Sequence, residues 1–426
     1  MKRWIKVLAV LFVMAITWGM GQKQTVKAGS FDVRGVWVSC FEYETVGLCN
    51  KTESEFRVNA NRLFYQLKAN GCNTVYFHVR AYDDAIYPSK IVGWSERLTA
   101  KGKAPSYDPL KLLVYYAHKH GLQFHAWMNP YRVTPEKVLN PGKASTTKRI
   151  VAQVKEIINN YDVDGIHFDD YFYPSEDAKY KKLSKAKKKA NVNVMVKAVY
   201  QAVKEKDKKL QFGISPAGTT DYCAKIGADI ETWMSQAGYV DYIIPQIYWS
   251  DRYILEGKKT KLFKERLAEW RSLNKLDIPM YIGIALYKAG SVLKDDPGWY
   301  KSSNNIAKQL TQIKSGNSEG HVLFSYTNLY HSDGAKEIKN YLQKIAKIKL
   351  SKKKKTLRAG KKYKISVTAW PPRVANNIKW KSSNKKIATV TKKGRVKAKK
   401  KGKVKIYAYY GNKKRVCKIT IKGKKK

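Results

Sequence analysis

The sequence predicts an α/β chain in two parts, a (β/α)₈ TIM-type barrel over residues 29–347 and a small all-β sandwich over residues 348–426. Three observations predict it. Eight short β-branched or aromatic runs alternate with helical patterns as far as about residue 347. No Gly-rich phosphate turn follows the first run, which argues against a doubly wound open sheet. Beyond Leu350 the helical period stops and lysine-rich segments of period two take over.

The elements follow in order. Met1-Lys2-Arg3 and Lys6 precede an apolar run from Val7 to Met20, and Val26-Lys27-Ala28 ends in a small-residue cleavage pattern. This reads as a signal peptide over residues 1–28. The run falls short of the ~20 residues a membrane span needs, so no transmembrane anchor is expected after cleavage. The expected location is secreted or associated with the cell wall. Cysteines 40, 49, 72, 223 and 417 are odd in number and lack CxxC spacing, which argues against a disulfide scaffold and a zinc site. A Cys40–Cys49 bridge stays open, and no metal or cofactor is expected.

The expected strands are Gly35–Cys40, Thr74–Val79, Leu122–Met128, Val163–Asp169, Gln211–Ser215, Tyr242–Tyr248, Met280–Leu286 and Val322–Tyr326. Between the first two, Thr52 with Glu55 forms a capping-box pattern. Phe56, Ala60, Leu63, Phe64 and Leu67 then recur at helical spacing until Gly71. Asp108-Pro109 opens the next helix, with Leu112, Leu113, Tyr116 and Ala117 facing inward and Gly121 ending it. At 43% apolar residues, the chain can fill a core of this size.

Charge separates the two parts. Residues 351–426 hold 30 Lys plus Arg and no Asp or Glu, whereas the rest carries 54 − 33 = +21 of the net +51. A +30 segment attracts polyanions, and outside a cell these are anionic wall polymers and acidic headgroups rather than nucleic acid.

The segment Val163 to Pro174 is the richest in chemistry. Strand alternation places Ile166 and Phe168 on one face and His167, Asp169 and Tyr171 on the other. Inward positions become polar near the C-terminal ends of several strands, where a barrel of this class keeps its site. These are His78 and Arg80; then His125, Trp127 and Asn129, continuing to Tyr131 and Arg132; Ser215; Gln246, Tyr248 and the adjacent Trp249; and Tyr287. Polar groups interleaved with rings suit a polysaccharide, which offers hydroxyls and apolar C–H faces. Glycosidic cleavage needs a carboxylic acid and a second group that stabilises the cationic centre. Asp169 is the expected catalytic centre by parity and Asp170 its neighbour, their adjacency pushing one of the two pKa values upward. Glu42, Asp83 and Glu176 stay open as further carboxylates, while Asp164, before Gly165, is expected to hold a turn.

Several stretches carry a resemblance: Arg34-Gly35-Val36-Trp37-Val38, Asn73 to Arg80 with Asp84 to Ser89, His125 to Arg132, Asp164 to Tyr171, and Gly213-Ile214-Ser215-Pro216. Residues 31 to about 345 resemble the glycosyl-hydrolase-like family 10 domain of exported bacterial proteins. The resemblance implies a barrel glycoside hydrolase, in some members acting on peptidoglycan strands freed of stem peptides. Trp380 to Asn384, Ala388 to Val390 and Gly394 to Gly402 resemble the bacterial immunoglobulin-like group 2 domain. Asp164 to Tyr171 is also similar to the D-G-x-D-x-D-x-E run of family-18 chitinases, with His167 replacing the middle Asp and Tyr171 the Glu. Gln246-Ile247-Tyr248 sits where those enzymes place a tyrosine near the substrate's acetamido group. That likeness implies substrate-assisted cleavage, Asp169 orienting the acetamide and Asp170 or Glu176 giving the proton.

The expected function is an exported glycoside hydrolase cleaving a cell-wall or related N-acetylated polysaccharide, held at anionic wall polymers by its basic C-terminal domain. The competing readings are a non-catalytic glycan-binding wall protein and a metal-dependent deacetylase with His78, His125, His167 and Asp169 as ligands.

Overall fold

The computed structural model describes residues 33–314, 319–330 and 332–424. The expected signal peptide, residues 1–28, lies outside the described residues. None of the described helices is long and apolar enough to cross a membrane.

Eight parallel strands close a barrel: β1 (Arg34–Val38), β2 (Thr74–Arg80), β3 (Gln123–Met128), β4 (Gly165–Phe168), β5 (Gln211–Ile214), β6 (Tyr242–Ile243), β7 (Met280–Ala285) and β8 (Glu319–Phe324). Each pairs with its chain neighbours, and β8 returns to β1. Helices α1 (Glu53–Ala69), α2 (Pro109–Lys119), α3 (Ala144–Asn160) and α4 (Lys185–Lys206) wrap the first half. The second half carries α5 (Thr220–Ile226), α6 (Ile230–Ser235), α7 (Leu262–Leu273), α8 (Asn305–Ile313) and α9 (Ser332–Ile345).

The local signals act as the sequence suggests. Thr52 Oγ1 accepts from Glu55 N at 3.4 Å while Glu55 Oε2 accepts from Thr52 N at 3.0 Å, closing a capping box on α1. Phe56, Ala60, Leu63, Phe64 and Leu67 are its buried face. Asp108 caps α2 through Lys111 N at 3.0 Å, with Pro109 in the first turn. Leu112, Leu113 and Ala117 are buried, and Tyr116 is half-buried. The expected sixth strand stops at Ile243. Pro245 brings no N–H to the ladder, and only single bridges continue, from Gln246 to Ala217 and to Gly283.

The barrel interior is aromatic. Trp37, Tyr76, Trp127, Tyr242 and Tyr281 fill it together with His125 and His167. Such rings fit because neighbouring strands present glycine beside them. A Cβ on Gly213 would lie 2.2 Å from the Tyr242 ring, and one on Gly165 would lie 2.7 Å from His125 Nδ1.

The C-terminal strands are β9 (Lys347–Leu350), β10 (Lys354–Arg358), β11 (Lys362–Lys364), β12 (Val367–Trp370), β13 (Lys379–Ser382), β14 (Ala388–Val390), β15 (Arg395–Ala398), β16 (Gly402–Tyr410) and β17 (Lys413–Lys422). They form a four-stranded sheet ordered β10-β17-β16-β13, a three-stranded sheet ordered β11-β15-β14, and the pair β9-β12. Val396, Ile406, Ala408 and Cys417 are fully buried between them, and lysines occupy the alternate outward positions. The sandwich docks on the N-terminal face of the barrel. Arg34, which opens β1, lies 4.7 Å from the Trp370 ring, and Arg373 Nη1 donates to Asn70 Oδ1 at 2.8 Å.

Candidate active site

A cleft of about 270 Å³ opens at the C-terminal ends of the strands. Asp169, Asp170 and Tyr171 line it, because β4 ends at Phe168 and the chain turns there. Asp169 is almost fully buried: its Oδ2 accepts from Trp127 Nε1 at 3.2 Å and its Oδ1 from Tyr171 N at 3.2 Å. Burial raises its pKa well above the usual carboxylate range, and the neighbouring Asp170 charge adds to this. Burial also lifts Asp170, to about 6, against the lowering effect of the Gln246 amide and the Arg132 guanidinium. The two carboxyls are neighbours and titrate as an interacting pair, both raised by burial.

The other expected residues divide into two groups. His78, Trp127, Asn129, Arg132, Ser215 and Gln246 line the cleft, as do Tyr248 and Tyr287. His78 stacks on Trp127, with centroids 3.8 Å apart and planes 6° apart, and burial drives its pKa down to about 3. It is a neutral ring at any physiological pH. The Arg132 guanidinium covers the Tyr171 ring at 3.7 Å. Tyr287 and Tyr171 are 43% and 45% exposed, so both offer ring faces at the mouth.

Five expected binding residues do not reach the lining. Arg80 is turned away because a register shift between His78 and Arg80 brings it opposite Met128 instead of an inward residue. Its guanidinium is fully buried and bonded to the Asn129 and Pro130 carbonyls and to Asp83. His125 points inward but lies one layer beneath Trp127, its Nδ1 2.9 Å from the Tyr242 hydroxyl. His167 is likewise below the floor, 3.1 Å from Ser215 Oγ and 3.2 Å from Tyr242 Oη. Tyr131 is fully buried against the edge of Phe172. Trp249 follows the inward Tyr248 and so points outward, over Gly218.

Each remaining carboxylate is occupied elsewhere. Glu42 is buried and accepts from Ser39 N, Ser325 Oγ and Thr327 N. Asp83 pairs with Arg80 and Arg149, and the exposed Glu176 pairs with Lys225 at 2.6 Å. Asp164 accepts from Phe124 N at 2.7 Å and binds His118 at 2.9 Å, tying strand to helix. Among the described residues that leaves Asp170 as the carboxyl beside Asp169 in the cleft lining.

The His78, His125, His167 and Asp169 set does not gather. Among the described residues no group of three His, Cys, Asp or Glu side chains converges to hold a metal ion. Cys40 and Cys49 are both free thiols, and Cys40 lies on the cleft wall.

Sequence reasoning missed Trp37, Ser39, Cys40, Phe41, Ala81, Tyr82 and Phe324, which complete the lining. Trp37, Tyr248 and Tyr287 surround Phe324 at centroid distances of 5.9–6.1 Å. The alternation Gly35, Trp37, Ser39 carried the signal for the first strand.

The profile of the family described as Glycosyl hydrolase-like 10 matches residues 32–138 and 131–301, and that of the bacterial Ig-like domain (group 2) matches residues 344–419. The chain is 30% identical over 362 residues to glycosyl hydrolase DigH of Escherichia coli, a match covering 67% of this chain and 81% of that protein. It is 30% identical over 349 residues to glycosyl hydrolase YngK of Bacillus subtilis, covering 66% and 67%. Among solved structures, a Bacteroides uniformis β-glucuronidase is 12% identical with a TM-score of 0.46, over 93% of this chain and 46% of that one. With the first profile spanning most of the barrel and a relative at this identity matched over four-fifths of its length, the chain belongs to the glycosyl hydrolase-like 10 family.

Proposed function

We propose that the protein is an exported hydrolase of an N-acetylated cell-wall glycan, such as peptidoglycan strands without stem peptides, and that its cationic C-terminal domain retains it at anionic wall polymers. The observation that carries this reading is the carboxyl pair Asp169 and Asp170, both held protonatable, in a cleft walled by aromatic rings.

The geometry favours substrate assistance. Direct displacement uses two carboxyls facing each other across the sugar, ~5–9 Å apart. Among the described residues the cleft presents only the adjacent pair. In the proposed course the acetamido oxygen attacks the anomeric carbon as the glycosidic bond breaks, and the leaving oxygen takes the proton of Asp170. Asp169, fixed by Trp127 and Tyr171, orients the acetamide N–H. Water then opens the oxazolinium ring and returns a proton to Asp170. Trp37, Tyr248 and Phe324 stack on the sugar's apolar faces.

The same lack of a facing carboxylate favours a second reading, glycan binding without turnover. Release of reducing ends from peptide-free glycan strands separates the two. Asp169→Asn and Asp170→Asn should each lower the rate ~10²–10⁴-fold with a melting temperature at or above the parent's. A parental rate in the Asp169→Asn variant removes the assignment, and no release by the parent leaves the binding reading.

A further inference from the structure

A second concave surface lies at the seam between barrel and sandwich and shares no residue with the cleft's lining. The trough holds about 790 Å³ between α8, α9 and the turn joining β16 to β17. Lys308 comes from α8, Lys344 from α9, and Lys413, Lys414 and Arg415 from the turn and the start of β17. None of the five has a carboxylate within ion-pair distance among the described residues. The carboxylate nearest in influence, Glu337, is buried and bonded to Asn305 N at 2.8 Å and Ile306 N at 3.2 Å in the first turn of α8. Arg415 is held in place, its Nε donating to Ile348 O at 2.9 Å.

Resting on the wall-retention reading above, we infer that this trough is the polyanion site, and that it takes a flexible, base-free phosphodiester polymer of polyols. Three features select that chemistry. The cations come from both domains and face one concavity, which suits a chain that threads it, whereas a bilayer meets a flat or convex face with apolar insertion. Among the described residues no aromatic ring lines the trough, the Tyr407 ring lying beneath Lys414, so nucleic-acid bases find no stacking platform inside it. Asn304, Gln343 and Asn412 stand among the cations and offer amides to hydroxyls, which a polyol phosphate carries between its charges. In this trough cations of barrel and sandwich combine in one concavity, in addition to the lysines spread over the outward face of the sandwich.

The test uses the full-length protein and poly(glycerol phosphate) of about 20 repeats, with titrations at several salt concentrations. The triple variant Lys308→Gln, Lys344→Gln, Lys413→Gln should bind roughly tenfold more weakly, with a log–log salt slope shallower by about 2–3, since each lost phosphate contact removes ~0.7–0.9. A control triple on exposed sandwich lysines outside the trough, Lys381→Gln, Lys397→Gln, Lys405→Gln, should change affinity less than twofold. Equal weakening by both triples overturns the trough while leaving diffuse wall retention standing. No binding by the parent overturns both. Tighter binding to oligo-dT or to phosphatidylglycerol vesicles than to the polyol phosphate overturns the assigned ligand.

Discussion

At the scale of single residues, proton placement follows from which groups can only donate. Trp37 Nε1 has a hydrogen and no lone pair, so at 3.2 Å it makes His167 Nε2 an acceptor and puts the His167 proton on Nδ1. That proton goes to the Tyr242 hydroxyl, which in turn donates to His125 Nδ1. Both rings are neutral, His125 with its pKa brought down to about 4 by burial and His167 lower still. The floor of the cleft is therefore a neutral column, and Asp169 with Asp170 supply the chargeable oxygens above it. Burial raises both carboxyl pKa values, so the folded state binds protons between about pH 4 and 6 that the unfolded chain has released. For Asp170, stability thus rises as pH falls through about 6, and above that pH the cost of burying its charge is fully present. Asp170→Asn removes the charge: its melting temperature should exceed the parent's by roughly 2–4 °C at pH 8, with the gain vanishing at pH 4. Equal melts at pH 8 in scanning calorimetry would mean that Asp170 is solvated. The inward placement of Asp169 was readable from alternation alone. The turning of Arg80 was not, since it depends on a one-residue register shift that no local residue pattern announces.

At the scale of elements, the barrel is legible because its strands are buried on both faces and its helices carry their own stops. Eight apolar runs, a capping box at Thr52 and Asp108-Pro109 are local signals that tertiary contacts did not have to supply. Strand ends were less readable. Pro245 cuts β6 short, yet Gln246 and Tyr248 still reach the cleft because the bridges at Gln246 hold the chain against Ala217 and Gly283. The filling of the interior was also hidden, because it depends on large rings sitting beside glycines of neighbouring strands. Gly213 pairs with Tyr242 across the β5–β6 ladder, and the ring lies where a Cβ would be. Gly213→Ala must displace the ring that joins His125 to His167. It should cost ~1–3 kcal/mol, read from the denaturant midpoint, and lower glycan turnover as the floor shifts. An unchanged midpoint would show that β5 and β6 separate easily, contrary to the packing seen.

At the scale of the whole molecule, the two parts use opposite faces of the barrel. Cleft residues follow the C-terminal ends of the strands, whereas Arg34 opens β1 and Asn70 precedes β2, so the sandwich docks at the N-terminal end. A polymer held near the sandwich would leave the cleft mouth facing away from the anchor, free to meet glycan. Composition revealed the charge of the sandwich but not its docking, because the seam is built from contacts between residues far apart in the chain. Arg34 lies over Trp370; Arg373 bonds Asn70 and lies 5.6 Å from the Tyr330 ring. A cation–π contact is worth ~0.5–1 kcal/mol at such partly exposed sites, and a hydrogen bond to a charged group ~1.5–3 kcal/mol. Trp370→Ala with Arg373→Ala should therefore uncouple the domains without unfolding either. The expected sign is a second, lower transition in calorimetry together with faster trypsin cleavage in the lysine-rich stretch around residues 352–355. Because none of the seam residues lines the cleft, turnover of short soluble glycan should stay at the parental level. A single transition at the parental temperature would place the hold between the domains elsewhere, and a fall in turnover would mean that the sandwich supports the barrel's strands as well as its attachment.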